Sequence, residues 1–587
     1  MGRGKLAALV PLIGAAFVLV AALGAPAQAT RSAGARLAAR STAATRTARS
    51  AVASGSSTAA GESFTPLNGF GSSWAGPAID QWAEDVHSEG IVINFDPDGS
   101  AAGRQQYALN QADFAASDIA FLTTPDPFQG GTENPKYAYS YIPIVAGGTS
   151  FLYNLQVGGK RIRNMRLSGE TIMKIFTGQI TNWDNPEITQ DYGEQLPSIP
   201  ITVVVRADGS GASYQFSDWM LHEFPSDWQS FCARSGGPKT DCGPTEFYPD
   251  SALPNGKSLN GSDLVANYIA SPSNNGAIGY DEYAYALDSN IPVIAMENAA
   301  GYDVLPTASN VAIALQKASI NEDPSSVDFL MQNLDSVYGY NDPRTYPLSS
   351  YSYLIVPRIS RDIDGTTAGP PPIFTDSKGY TLSTWLNFVL CGAQATAGAL
   401  GYSPLPYPLI TGGYLQFGQI PGHISVGSVA SFIASCKNPT YYDGQNLLIK
   451  DAPYPNACQF HTAPLNCTVK NGKAEAATTA GSDSTGSTDK SSGSTGNGST
   501  INPNTGQVNN GGTGDDPGAA INASPVSLSG PAPQKAWVFA VLIVLALLGA
   551  IAAPTVLGSW LERRRAAQSG AGPGGIAPPP DGPRRQR

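Results

Sequence analysis

Three Gly/Ser-rich turns, Gly69-Phe-Gly-Ser-Ser-Trp74, Asp98-Gly-Ser100 and Arg206-Ala-Asp-Gly-Ser-Gly211, each stand directly before a segment that reads as the start of a helix. The first turn of a helix leaves backbone N–H groups unpaired and carries the positive end of the peptide dipole. Several such starts aimed at one point can hold a small oxyanion with little help from charged side chains. Arg206 adds planar, paired donors that suit a tetrahedral oxyanion better than a lysine would. Taken one at a time, these residues have ordinary explanations. An Asp-Gly-Ser-Gly turn commonly does no more than cap a helix, Arg206 could form a surface ion pair with Asp208, Asp118 could be a cap, and Trp74 a core aromatic. The functional reading depends on convergence.

The elements that must bring them together are legible as a repeat. Pro77, Ile79, Trp82 and Val86 fall at helical spacing after the first turn, and Ile91–Phe95 reads as a strand. The second turn leads into a short helix around Arg104 to Leu109, and Asp113–Asp118 is a strand that leaves Asp118 at its end. Tyr141–Val145 reads as a buried strand, Gly169–Gly178 as a helix, and Ile201–Val205 as an apolar strand ending at Arg206. Phe216, Trp219, Met220 and Phe224 form a helical stripe that places a helix start near Ser210. Gly276–Gly279, Tyr351–Val356 and a helix from about Leu382 to Gly392 follow. Strands alternating with helices predict α/β lobes with mainly parallel sheets, whose ligands bind beyond the carboxyl ends of the strands.

The ends of the chain read differently. Arg3 and Lys5, an apolar run and Ala27-Gln28-Ala29 have the pattern of a cleaved signal peptide over 1–29, followed by a disordered Ala/Ser/Thr/Arg stretch over 30–61. Residues 472–535 are a Gly/Ser/Thr/Asn stalk; a flexible coil of roughly 60 residues spans about 40 Å. The apolar run 536–560 is long enough to cross a bilayer, and Arg563, Arg564 and Arg565 follow it. The positive-inside rule leaves the basic tail 561–587 in the cytoplasm and the folded region, in two lobes, outside the cell. The formal net charge of −11 argues against a nucleic-acid partner without excluding a buried anion. Cys232, Cys242, Cys391, Cys436, Cys458 and Cys467 suggest three disulfides; spacing favours 232–242 and 458–467 as local loops, which leaves 391–436, out of fifteen possible pairings.

Read in order, these segments resemble the PstS-type phosphate-binding proteins of ABC importers. Gly69-Phe-Gly-Ser-Ser-Trp-Ala-Gly-Pro77 is similar to the family's opening Gly-Ala-Gly-Ala-Thr-Phe-Pro-Ala-Pro, Gly99–Gly103 to its Gly-Ser-Ser-Gly-Gly turn, Asp113–Asp118 to Asp-Phe-Gly-Ala-Ser-Asp, and Arg206–Ala212 to Arg-x-Asp-Gly-Ser-Gly-Thr. Thr171–Trp183, Gly276–Tyr285, Tyr346–Ser349 and Gly401–Pro406 also look like family segments. The resemblance implies a two-lobed type II periplasmic-binding-protein fold, with lobe 1 over 62–146 and 347–471 and lobe 2 over 147–346, and inorganic phosphate in the cleft between them. It implies phosphate contacts from Ser73, Trp74, Ser100, Asp118, Arg206, Ser210, Gly211 and Ala212, with Asp208 orienting Arg206. Asp118 would accept the proton that phosphate still carries and sulfate lacks, a hydrogen bond whose loss can cost roughly 10⁴–10⁵-fold in selectivity. Three positions depart from the family. Ser73 stands for Thr and keeps its hydroxyl, Trp74 stands for Phe where the backbone N–H is used, and Ala212 stands for Thr and loses a hydroxyl donor.

The expected function is that of a membrane-anchored extracellular receptor delivering phosphate to an ABC permease, as a monomer, with no cofactor and no metal. A surface phosphate sensor or scaffold serving no permease is the alternative, motivated by the helix-and-stalk tether: no cysteine precedes Cys232, so lipid attachment at the signal cleavage site is excluded. A serine hydrolase or phosphatase using Ser73 or Ser210 is disfavoured. There is no G-x-S-x-G elbow, and His87, His222, His423 and His461 are scattered away from the three turns.

Overall fold

A computed structural model of the chain describes residues 63–476 except 130, 364, 437, 439, 440, 443 and 444, together with a short ladder pairing 500–501 with 508–509. The expected signal peptide, the disordered stretch 30–61, nearly all of the stalk, the apolar run 536–560 and the basic tail lie outside the described residues. Among the described residues no helix is long and apolar enough to cross a membrane.

The strand–turn–helix repeat is present. Strand β1 (Leu67–Gly71) leads to helix α1 (Gly76–His87), which buries Ile79, Trp82 and Val86 and has Pro77 in its first turn. Strand β2 (Ile93–Asp96) leads to α2 (Ser100–Ala108). This helix starts four residues before the Arg104 expected from sequence, so the Ser100 hydroxyl sits in its first turn. β3 (Phe114–Ser117) ends just before Asp118. β4 (Tyr139–Asn154) is much longer than the apolar run Tyr141–Val145 suggests, and it is buried throughout. β5 (Thr202–Arg206) is followed by α3 (Gly211–Glu223), where the Ser210 side chain accepts a hydrogen bond from the Ser213 N–H. β6 (Gly256–Leu259), α4 (Gly261–Ala270), β7 (Ala277–Glu282), β8 (Ser349–Pro357) and α5 (Asp376–Val389) complete the framework.

These strands form one eight-stranded sheet in the order β2-β1-β3-β8-β4-β7-β5-β6. β1 runs parallel to β2 and β3, and β5 parallel to β6 and β7, as expected for α/β units. The two halves are stitched by β4. Its residues 139–148 pair antiparallel with β8, and its residues 149–154 pair antiparallel with β7, the partner changing between Gly148 and Thr149. Trp385 of α5 packs on Phe114 in the first half, and Phe216 of α3 packs on Phe151, Phe176 and Tyr280 in the second. The disulfides are Cys232–Cys242, Cys391–Cys436 and Cys458–Cys467.

Candidate functional site

The carboxyl ends of β1, β3 and β5 and the starts of α1, α2, α3 and α4 face one buried hollow. Asp118, at the end of β3, is buried there. Its Oδ1 accepts hydrogen bonds from the hydroxyls of Ser72 at 2.8 Å and Ser352 at 2.7 Å, and its Oδ2 from Ser100 at 3.1 Å. Burial raises the Asp118 carboxyl above the usual carboxylate range, the three hydroxyls and the nearby Arg206 charge pulling the other way.

Arg206, at the end of β5, is also buried, and it meets Asp208 with both arms of its guanidinium: Nε donates to Oδ1 at 2.8 Å and Nη2 donates to Oδ2. Asp208 Oδ1 also accepts from the Gly261 N–H at 2.8 Å, at the start of α4. This pair is therefore a two-armed, largely buried ion pair, not the surface ion pair that Arg206 and Asp208 would ordinarily form. Arg206 Nη1 donates to the Ser262 hydroxyl at 3.2 Å, and Ser262 lies 2.8 Å from the Ser73 hydroxyl.

The turns interlock so tightly that two glycines are required. A Cβ on Gly211 would sit 2.5 Å from Asp118 Oδ2 and 2.8 Å from Ser100 Oγ, so a side chain there would collide with the floor of the hollow. Gly99 has φ +108°, and a Cβ there would lie 2.5 Å from Asp208 Oδ2. The Ala101 N–H donates to the Gly209 carbonyl at 3.0 Å, tying the second turn to the third.

Each residue expected at the site is placed on this hollow or its wall. Ser73, Ser100, Asp118, Arg206, Ser210 and Ala212 are buried, with Gly211 against Asp118 and Asp208 behind Arg206. Asp118 and Arg206 are not hydrogen-bonded to each other; they interact through charge. The Trp74 ring is turned to other work, its indole N–H donating to Thr149 Oγ1 at 3.2 Å and its ring packing edge-on with Tyr402, so Trp74 can serve the hollow through its backbone. The Ser213 hydroxyl lies 2.6 Å from Tyr280 Oη and does not stand in for the hydroxyl missing at Ala212.

Sequence reasoning missed Ser72, Ser262, Ser352, Asp281 and Glu282. Ser262 belongs to a fourth Gly/Ser segment of the same kind, Asn260-Gly-Ser-Asp263, which opens α4. Ser352 is a polar residue inside an apolar strand, and Asp281 and Glu282 close the run Ala277–Tyr280, both fully buried. Among the described residues no cluster of His, Cys, Asp and Glu could hold a metal ion.

A two-lobed α/β sheet with a buried cluster of Asp118, Arg206 and hydroxyls at its helix starts defines a class, and comparison with known proteins agrees: a PBP superfamily domain matches residues 41–368, and the chain belongs to that superfamily. Within it the chain belongs to the PstS phosphate-binding proteins, a family of binding proteins and not of enzymes. It is 30% identical over 346 residues to the phosphate-binding protein PstS of Xylella fastidiosa strain 9a5c, covering 59% of this chain and 82% of that one. It is 27% identical to phosphate-binding protein PstS 2 of Mycobacterium tuberculosis, over 47% of this chain and 69% of the other. The solved phosphate-binding protein of Stenotrophomonas maltophilia is 16% identical, with a TM-score of 0.42 over 64% of this chain and 98% of that one.

Proposed function

We propose that this protein is a membrane-anchored extracellular receptor that binds inorganic phosphate and passes it to an ABC permease. The observation that carries the reading is the convergence of Asp118 and the Asp208-clamped Arg206 with the starts of α1, α2 and α3. Arg206 supplies charge and fork-shaped donors. Ser73 and Ser100 supply hydroxyls, the first-turn N–H groups around Trp74 and from Ser210 to Ala212 supply the remaining donors, and Asp118 accepts a hydrogen bond from the phosphate O–H.

The lobes are assigned as 62–146 with 347–471, and 147–346, closing on the ligand as a hinge. The signal peptide, the stalk and the apolar run 536–560 with its following arginines support secretion and a single-pass anchor with the C-terminus in the cytoplasm. Calorimetry on the purified chain tests the reading: phosphate and arsenate bind and sulfate does not. Equal binding of sulfate and phosphate would reject it. Phosphate uptake by cells with and without the gene separates a receptor that feeds a permease from a sensor, which leaves uptake kinetics unchanged.

A further inference from the structure

The hollow holds more acid than phosphate recognition needs. Asp118, Asp208, Asp281 and Glu282 gather around it, and Arg206 is the cation that acts on Asp118 and Asp281. A doubly charged anion entering this group adds negative charge where it is already in excess, and in a buried site such an excess is removed by protons.

Geometry singles out which carboxyl takes one. Asp208 receives both arms of Arg206 and the Gly261 N–H. Asp118 receives three hydroxyl donors. Glu282 is fully buried, with no close hydrogen bond to Oε1 or Oε2 among the described residues, and burial together with Asp281 and Asp118 drives its carboxyl well above the usual range, against the pull of the Tyr283 and Gly148 backbone.

Asp281 stands between these cases. It sits on β7 beside β5, whose last residue is Arg206, and is fully buried. Its Oδ1 accepts the Glu282 N–H at 2.8 Å and the Ser262 hydroxyl lies close enough to favour its ionised form, while Oδ2 makes no close hydrogen bond among the described residues. Around it stand Arg206 and Asp208 from the β5 end, Ser262 and Asp263 from α4, Tyr285 after β7, Glu282 on its own strand, and Tyr402. Burial pushes its carboxyl up to about 6, against the opposing pull of Arg206. It is thus poised to change charge near neutral pH.

We propose that Asp281 takes up a proton from solvent when the anion arrives, so that phosphate capture by this chain is coupled to proton uptake. The inference rests on the reading of the hollow as a phosphate site. Asp281 acts as a positioning residue through Arg206: ionised, it shares the guanidinium charge with the incoming ligand; protonated, it leaves that charge to the anion. The carboxylate gains one proton and one O–H bond, and no other bond changes.

The test is calorimetric titration of phosphate into the purified full chain from pH 5.5 to 8, in pairs of buffers with different ionisation heats, for the wild type, Asp281→Asn and Asp281→Ser. Both variants mimic the uncharged state. They are expected to bind phosphate nearly as the wild type does at pH 5.5 and about a hundredfold tighter at pH 8, each pH unit above about 6 being worth a factor of ten for this titrating group. The wild type is expected to take up close to one proton more than Asp281→Asn near pH 7.5. Parallel affinity profiles with equal proton uptake overturn the proposal and leave the phosphate site standing. A wild type whose affinity follows only the ionisation of phosphate itself also overturns it, whether or not the variants fold. A wild type that binds no phosphate overturns both readings.

Discussion

The hydroxyls of Ser73 and Ser262, 189 residues apart in the chain, lie 2.8 Å from each other, and Ser262 in turn receives Arg206 Nη1. Through this relay the first Gly/Ser turn is bonded to the residue that ends β5. The Tyr285 hydroxyl holds the Ser73 carbonyl at 2.6 Å and the Tyr402 hydroxyl holds the Trp74 carbonyl at 2.5 Å, so the backbone of that turn is fixed by long-range contacts before any ligand binds. Such preorganisation makes a set of weak donors effective.

Arg206→Ala is expected to abolish measurable phosphate binding, and Asp208→Asn to weaken it while leaving some. The first removes the charge; the second removes the clamp that aims it. Isothermal calorimetry reads both. Unchanged affinity in Arg206→Ala would move the site elsewhere.

Asp118→Asn is expected to narrow the gap between phosphate and sulfate. An amide offers hydrogens to an oxyanion that has none of its own, whereas the buried carboxylate repels it. The wild-type preference, on the order of 10⁴-fold for sites built on such a bond, should collapse mainly through a gain in sulfate affinity. Competition binding with both anions measures it.

Ala212→Thr is expected to tighten phosphate binding by about 10-fold or more, because a hydrogen bond to a charged group is worth roughly 1.5–3 kcal/mol and the Ser213 hydroxyl is engaged with Tyr280. A loss of affinity would mean that the buried position has no room for the larger side chain.

Glu246→Ala is expected to destabilise the fold by about 3–5 kcal/mol in chemical denaturation, because it strands a buried charge. Arg104 is fully buried and Nη2 donates to Glu246 at 2.7 and 2.6 Å, with Nε donating to Glu133 at 2.8 Å. Replacing Arg104 and Glu246 together by methionine should cost less than the single change.

Stability should also fall with rising pH through His461. Its ring contacts Asp303 at 2.6 Å and Asp191 at 3.2 Å; burial alone would lower its basicity, but these carboxylates and Glu297 raise it to about 10. A group protonated more firmly in the folded than in the unfolded chain contributes fully below about pH 6.5 and loses that contribution as pH climbs toward 10. Denaturation of wild type and His461→Gln across pH 6 to 10 should show the two curves converging at the alkaline end.

Much of the site is local in sequence, which is why it could be read there. Arg206, Asp208 and Ser210 lie within one turn, and the clamp and cap they form depend on neighbours a few residues away. Ser352 and Asp281 are different. They reach the hollow because β8 and β7 flank β4, a register that depends on pairing across the whole sheet. No short window of residues encodes that pairing. Similarly, the full extent of β4 was hidden because Gly147, Gly148 and Thr149 interrupt its apolar pattern while remaining buried between partner strands. The strand–helix order and the cysteine pairs were easier to read, the first from periodicity and the second from loop length.

The change of partner along β4 at Gly148 and Thr149 has a mechanical consequence. A ribbon hydrogen-bonded to one neighbour above that point and to another below it behaves as a torsion bar. Any rotation of one half of the sheet against the other would have to be taken up as winding of the few peptide units at that point.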